Sequence, residues 1–116
     1  MSNDLPFKLE TLLEQCGSNA EIAKIILDEF LGQVATDTEE LAASLAGGNL
    51  EQAGRAGHRL KGSAGVLGAG TLHALCSALE NAAKSGNIED AAQTYADLKA
   101  EADRCVAAIP EAKTLL

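Results

Sequence analysis

The chain has 116 residues, 17 of them acidic and 9 basic, for a formal net charge of −8 at pH 7, which argues against the whole surface being a binder of nucleic acid or of an anionic membrane. Apolar residues make up 47%, but they are Ala, Leu, Ile and Val, with only Phe7, Phe30 and Tyr95 as aromatics, a composition that favours closely packed helices over an aromatic-layered sandwich. Cys16, Cys76 and Cys105 are odd in number and show neither a CxxC nor a Cys/His spacing, so neither a disulfide framework nor a zinc site is indicated.

No signal peptide and no run of about 18 apolar residues is present. The expectation is a reduced, cytoplasmic, soluble protein with one domain over residues 1–116, its core spanning about 9–109 and its termini loose. Met1 and the short tails are those expected of a free-standing protein.

In chain order, residues 1–6 are expected as a loose terminus, and Phe7 to Gln15 as a short helix with Leu9, Leu12 and Leu13 apolar, ended by Gly17. Ser18, three residues before Glu21, has capping-box spacing and opens a second helix through about Gln33. Its predicted buried face is Ile22, Ile25, Ile26 and Phe30, widened by Leu27 or Leu31. After a break or bend near Gly32 to Thr36, Val34, Thr38, Leu41 and Leu45 continue at helical spacing to Ala46.

Gly47-Gly48 is a turn, and Asn49 is a good cap for a helix from Leu50 to Leu67. Gly68 and Gly70 close it, and Thr71 can cap the next, whose stripe is Leu72, Leu75, Cys76, Leu79 and Ala83. Asn87 caps a last helix, with Glu89 and Asp90 in the turn where carboxylates suit the helix dipole. Ile88, Ala91, Tyr95, Leu98, Ala102, Cys105 and Ile109 form its stripe, and Pro110 is predicted to end it, leaving 111–116 as a tail. Cys76 and Cys105 thus fall on apolar stripes as small core residues. Short connections favour antiparallel neighbours, hence an all-α, antiparallel up-down four-helix bundle with one or two additional short N-terminal helices.

Chemistry is legible in one stretch, Gly54 to Gly68, GRAGHRLKGSAGVLG. At about 100° per residue, His58 shares a face with Gly54, Arg55, Lys61, Gly62 and Gly65. Ala53, Ala56, Leu60, Ser63, Ala64 and Leu67 lie opposite, a small-and-leucine stripe suited to packing on neighbouring helices. The histidine therefore points away from the core.

Gly54, Gly57, Gly62 and Gly65 sit inside this helix at a cost of about 0.5–1 kcal/mol each relative to alanine. Three of them surround the imidazole, a bare surface that lets something bulky approach it. No Asp or Glu occurs from Gln52 through Leu79, whereas Arg55, Arg59 and Lys61 all lie there. A local basic spot on an acidic protein fits an anionic group handled at one place.

From His58-Arg59-Leu60-Lys61-Gly62-Ser63-Ala64 through Leu67-Gly68-Ala69, the sequence resembles the histidine-containing phosphotransfer (HPt) domain family, whose motif is close to H-x-L-K-G-S-A-x-x-L-G. The likeness extends to Asp28-Glu29-Phe30-Leu31, to the small-residue turn before the active helix, and to Leu79-Glu80 with Gly86. It implies a monomeric phosphorelay intermediate in which His58 accepts a phosphoryl group from the aspartyl phosphate of one receiver domain, that of a hybrid sensor histidine kinase, and donates it to the receiver aspartate of a response regulator. It also implies that the nitrogen farther from the backbone is the one phosphorylated, that no ATP or other cofactor is bound, and that the required magnesium belongs to the receiver.

Within that resemblance, Lys61 offsets phosphoryl charge during in-line transfer. Gly62 and Gly65, with Gly54, leave a receiver docking face, to which Arg55 and Arg59 add attraction for an acidic pocket. Plainer readings stand beside these. Exposed arginines need no special reason, Gly54 and Gly57 serve close packing equally well, and His73 reads as a solvated surface residue. Ser63 lies too far round the helix to pair with His58. Two other classes compete with the phosphocarrier: a scaffold that binds a receiver without accepting phosphate, and a His-dependent hydrolase, for which no orienting carboxylate stands near His58 in sequence, although one distant in the chain could.

Overall fold

Three asparagines set where the long helices begin. Asn19, Asn49 and Asn87 are the N-caps of α2 (Ala20–Ala46), α3 (Leu50–Leu67) and α5 (Ile88–Leu115). Their side-chain oxygens accept from the amides of Glu21 and Ile22, of Gln52, and of Asp90, at 3.0–3.1 Å, satisfying donors that a helix start leaves without a partner. The structure, a computed structural model, describes residues 5–116; the part of the expected loose N-terminus before Leu5 lies outside them.

A short α1 (Leu9–Gln15) precedes the bundle, and α4 (Gly70–Lys84) completes it. Helix α3 packs between α2 and α4, and α5 closes the ring by packing on both α4 and α2. The connections are the short turns the sequence indicates, so successive helices run antiparallel in an up-down four-helix bundle. The longest dimension, 41 Å, is the length of one helix of about 27 residues at 1.5 Å per residue.

Leu12, Leu27, Leu41, Leu60, Leu67, Leu72, Leu79 and Leu98 fill the core with Cys76 and Cys105. Helix α1 closes the C-terminal end of α3, where the Lys8 amide donates to the Leu67 carbonyl at 3.1 Å. Gly68 ends α3 at φ +69°, and a Cβ there would stand 2.9 Å from Cβ of Thr11, so both backbone and space require glycine.

Several expectations are corrected. Helix α2 is continuous through Gly32 and Thr36; Phe30 and Val34 are buried around the glycine, and the Thr38 hydroxyl donates to the Val34 carbonyl at 2.7 Å, so packing outweighs a weak helix former. Its buried face is Ala23, Leu27, Phe30, Val34 and Leu41, whereas Ile22 and Ile25 are exposed. Asn19, not Ser18, caps this helix, because Ser18 takes a left-handed turn at φ +63°. Ala69, which has no capping side chain, takes the place expected for Thr71.

Phe7 is buried but precedes the first helix. Pro110 lies within α5, which runs on through the predicted tail to Leu115. Burial of Ile109 and Ala112 and an ion pair from Lys113 to Asp28 at 2.7 Å hold the last turns against the main-chain bond that proline lacks.

Candidate functional site

Helix α3 presents His58 to solvent with its side chain 66% exposed, on the side away from the buried Ala53, Ala56, Leu60 and Ala64. The carboxylate absent from its sequence neighbourhood arrives from α4. Glu80 Oε2 stands 3.1 Å from His58 Nδ1, and Glu80 Oε1 accepts from Lys61 Nζ at 2.8 Å. Lys84 Nζ lies 3.5 Å from the same carboxyl. One nearly buried acid therefore ties together the imidazole and the two lysines.

The Lys61 hydrogen bond, aided by the Lys61 charge and by His58, outweighs burial and holds the Glu80 carboxyl below its usual 4.5. At neutral pH it is ionised and can only accept. A proton shared with Nδ1 is therefore placed on that nitrogen, so that in the neutral ring Nε2 is the nitrogen that keeps its lone pair. Among the described residues no hydrogen bond reaches Nε2, the His58 side chain is largely exposed, and one turn on, at Gly62, a side chain would meet no atom within 4 Å.

The glycines separate into kinds. Gly57 is buried against α4, where a Cβ would stand 3.2 Å from Leu79 Cδ2, so it serves packing. A Cβ on Gly54 would stand 3.5 Å from that of Ala83, in a groove of about 370 Å³ that is also lined by Arg55, Glu80 and Lys84. Gly65 is exposed and carries the ring edge of His73 beside it. His73 itself is exposed, as the sequence indicates.

The cations are less free than the acid-free segment suggests. Arg55 pairs with Glu51 at 3.5 Å along its own helix. Arg59 turns to α2, where its Nε and Nη2 reach Asp37 Oδ1 at 3.3 and 3.2 Å and Nη2 also donates to Glu40. Asp37 is wholly buried and accepts a further bond from Gln33 Nε2 at 2.9 Å. Glu40 accepts from Gln52 at 3.2 Å.

Glu80, Asp37 and Glu40 were given no role by the sequence. Two signals were available: Glu80 falls within the family likeness at Leu79-Glu80, and Asp37 lies on the stripe defined by Val34, Thr38 and Leu41, where a charge needs a partner. Among the described residues no group of three or more His, Cys, Asp or Glu side chains could hold a metal ion, and no helix is long and apolar enough to cross a membrane.

Residues 25–108 match the Hpt domain family. No curated protein matches the chain in sequence. Among solved structures, the fold is similar to that of histidine-containing phosphotransfer protein B (HptB) from Pseudomonas aeruginosa PAO1, at 19% identity over 99% of both chains with a TM-score of 0.88. It is also similar to the HPT domain of a sensor hybrid histidine kinase from Shewanella, at 20% identity over 96% of both chains with a TM-score of 0.82. The chain belongs to the Hpt domain family, the phosphorelay intermediates of two-component signalling.

Proposed function

We propose that His58 is the phosphoryl carrier, taking the group from the aspartyl phosphate of a hybrid kinase's receiver domain and passing it to the receiver aspartate of a response regulator. The observation that carries this is the exposed imidazole with Nδ1 held 3.1 Å from Glu80, a contact that leaves Nε2 as the nitrogen not engaged by the carboxylate. In the forward step the Nε2 lone pair attacks phosphorus, the N–P bond forms, and the bond from phosphorus to the aspartyl oxygen breaks, returning its electrons to that carboxylate. Because Nδ1 keeps its proton, the phosphorylated ring is cationic, and Glu80 offsets that charge. Transfer to the second receiver is the reverse sequence.

Lys61, bound to Glu80 at 2.8 Å, stands one turn from His58 and balances the charge of the phosphoryl oxygens. Gly62 and Gly65 keep the face open to the receiver, with Gly54 and Arg55 at its edge; Arg59 contributes mainly through α2. The chain acts as a cytoplasmic monomer and a phosphocarrier without independent turnover. It needs no cofactor of its own, the magnesium of the reaction belonging to the receiver.

Incubation with a phosphorylated receiver domain is expected to place acid-labile, alkali-stable label on this chain and none on His58→Gln. Label retained by that variant would move the site elsewhere.

A further inference from the structure

Helix α3 meets its neighbours mainly through side chains of low relief. Of its six buried residues four, Ala53, Ala56, Gly57 and Ala64, are small and only Leu60 and Leu67 are large, so few knobs must leave their holes when the helix turns about its axis. Against this smooth surface stands a buried carboxyl group, Asp37 of α2, with no exposed area. The cation that reaches it is Arg59, the residue directly after His58, at 3.2 Å. Gln33 holds the other carboxyl oxygen at 2.9 Å, and Glu40, itself held by Gln52, holds the guanidinium from outside.

We infer that the Asp37–Arg59 pair is a positioning device for His58, setting the rotation of α3 so that the imidazole meets Glu80 on one side and an incoming receiver in front. Turning α3 away from this register withdraws Arg59 and leaves Asp37 buried without its cation, an outcome penalised far more than an ordinary packing slip. A buried polar group that specifies register where apolar packing leaves it loose is a known use of such pairs. Two carboxyl groups thus hold α3 from opposite flanks, Asp37 through Arg59 and Glu80 through Lys61, with His58 between them. Arg59 acts through α2 and touches no transferring atom.

The inference rests on His58 being the carrier, and its test has one readout that does not. Imidazole nitrogen NMR of the full chain is expected to show the wild-type ring protonated at Nδ1, with this signature weakened in Asp37→Asn and in Arg59→Gln and kept in Arg59→Lys. The Asp37→Asn/Arg59→Gln double variant is expected to be no worse than either single one. In transfer from a phosphorylated receiver, both single variants are expected to lose about tenfold in rate at saturating receiver, with half-saturation unchanged.

Wild-type ring spectra in Asp37→Asn and Arg59→Gln overturn the inference, as does a raised half-saturation for Arg59→Gln with an unaltered saturating rate, which would make Arg59 a docking cation. A lowered melting temperature with wild-type spectra and rates would reduce the pair to a structural one and also overturn it. If the spectra change as expected while the wild type takes no label, the positioning stands and the phosphorelay role of His58 falls. Arg59→Gln, with Arg59→Lys as its conservative control, keeps the test valid if Asp37→Asn fails to fold.

Discussion

At the scale of single residues, one carboxyl group organises the site. Glu80 contacts His58, Lys61 and Lys84 from a nearly buried position, and its depressed protonation range has a definite consequence. A group whose folded value lies below its unfolded value contributes stability above the unfolded value, and loses it as pH falls through the folded one. Stability is therefore expected to hold from neutrality to about the usual carboxylate range near 4.5, and to fall below it as Glu80 protonates and Lys61 and His58 lose their acceptor. Glu40, lowered chiefly by the Gln52 hydrogen bond and then by Arg59, adds to the same loss. Urea unfolding of wild type and Glu80→Gln between pH 7 and pH 3 checks this, the variant showing the shallower dependence.

Gly62 supplies a prediction of opposite signs for stability and function. It sits in mid-helix beside open space, so Gly62→Ala is expected to raise stability by about 0.5–1 kcal/mol. Gly62→Gln should fold equally well and yet transfer far more slowly, because its side chain occupies the ground a receiver needs. Denaturation and transfer rates on the two variants separate these effects. A receiver that transfers to Gly62→Gln at the wild-type rate would show that it docks elsewhere.

At the scale of elements, α5 defies its own proline. Pro110 lacks the main-chain donor that an interior helical position requires, and the helix nevertheless continues to Leu115 because Ala112 is buried and Lys113 reaches Asp28. Pro110→Ala is accordingly expected to stabilise the protein by about 1–2 kcal/mol, less than the full interior penalty because only the last turn and a half depend on it. Equilibrium unfolding measures the gain; its absence would mean that the proline's restriction of the unfolded chain offsets the missing bond. Helix α2 makes a related point: apolar residues lie around much of its circumference, and its neighbours, not its own periodicity, chose Leu27 and Phe30 for burial and left Ile22 and Ile25 outside.

For the whole molecule, the closed ring of helices protects its interior chemistry. Burial pushes the Cys76 and Cys105 thiols up to about 12, so neither presents a thiolate near neutral pH, whereas Cys16 is only half-buried. A thiol reagent at pH 8 is expected to modify Cys16 in the folded protein and all three cysteines after unfolding. Rapid reaction at Cys76 would show that α4 opens from the bundle.

Whatever depends on near neighbours in the chain is legible in the order of the amino acids. The asparagine caps at Asn49 and Asn87, the glycine turns, the helical class, and the exposed face bearing His58, Lys61 and Gly62 all follow from spacing within a few residues, where helix geometry is local. Whatever depends on which helix lies beside which emerges from the packing of the bundle. Glu80 is 22 residues beyond His58 and Asp37 is 22 residues before Arg59, distances at which chain spacing says nothing of proximity. The same packing divides glycines that look alike in sequence, pressing Gly57 against Leu79 and leaving Gly62 open, because a missing side chain acquires a purpose only from what stands opposite it.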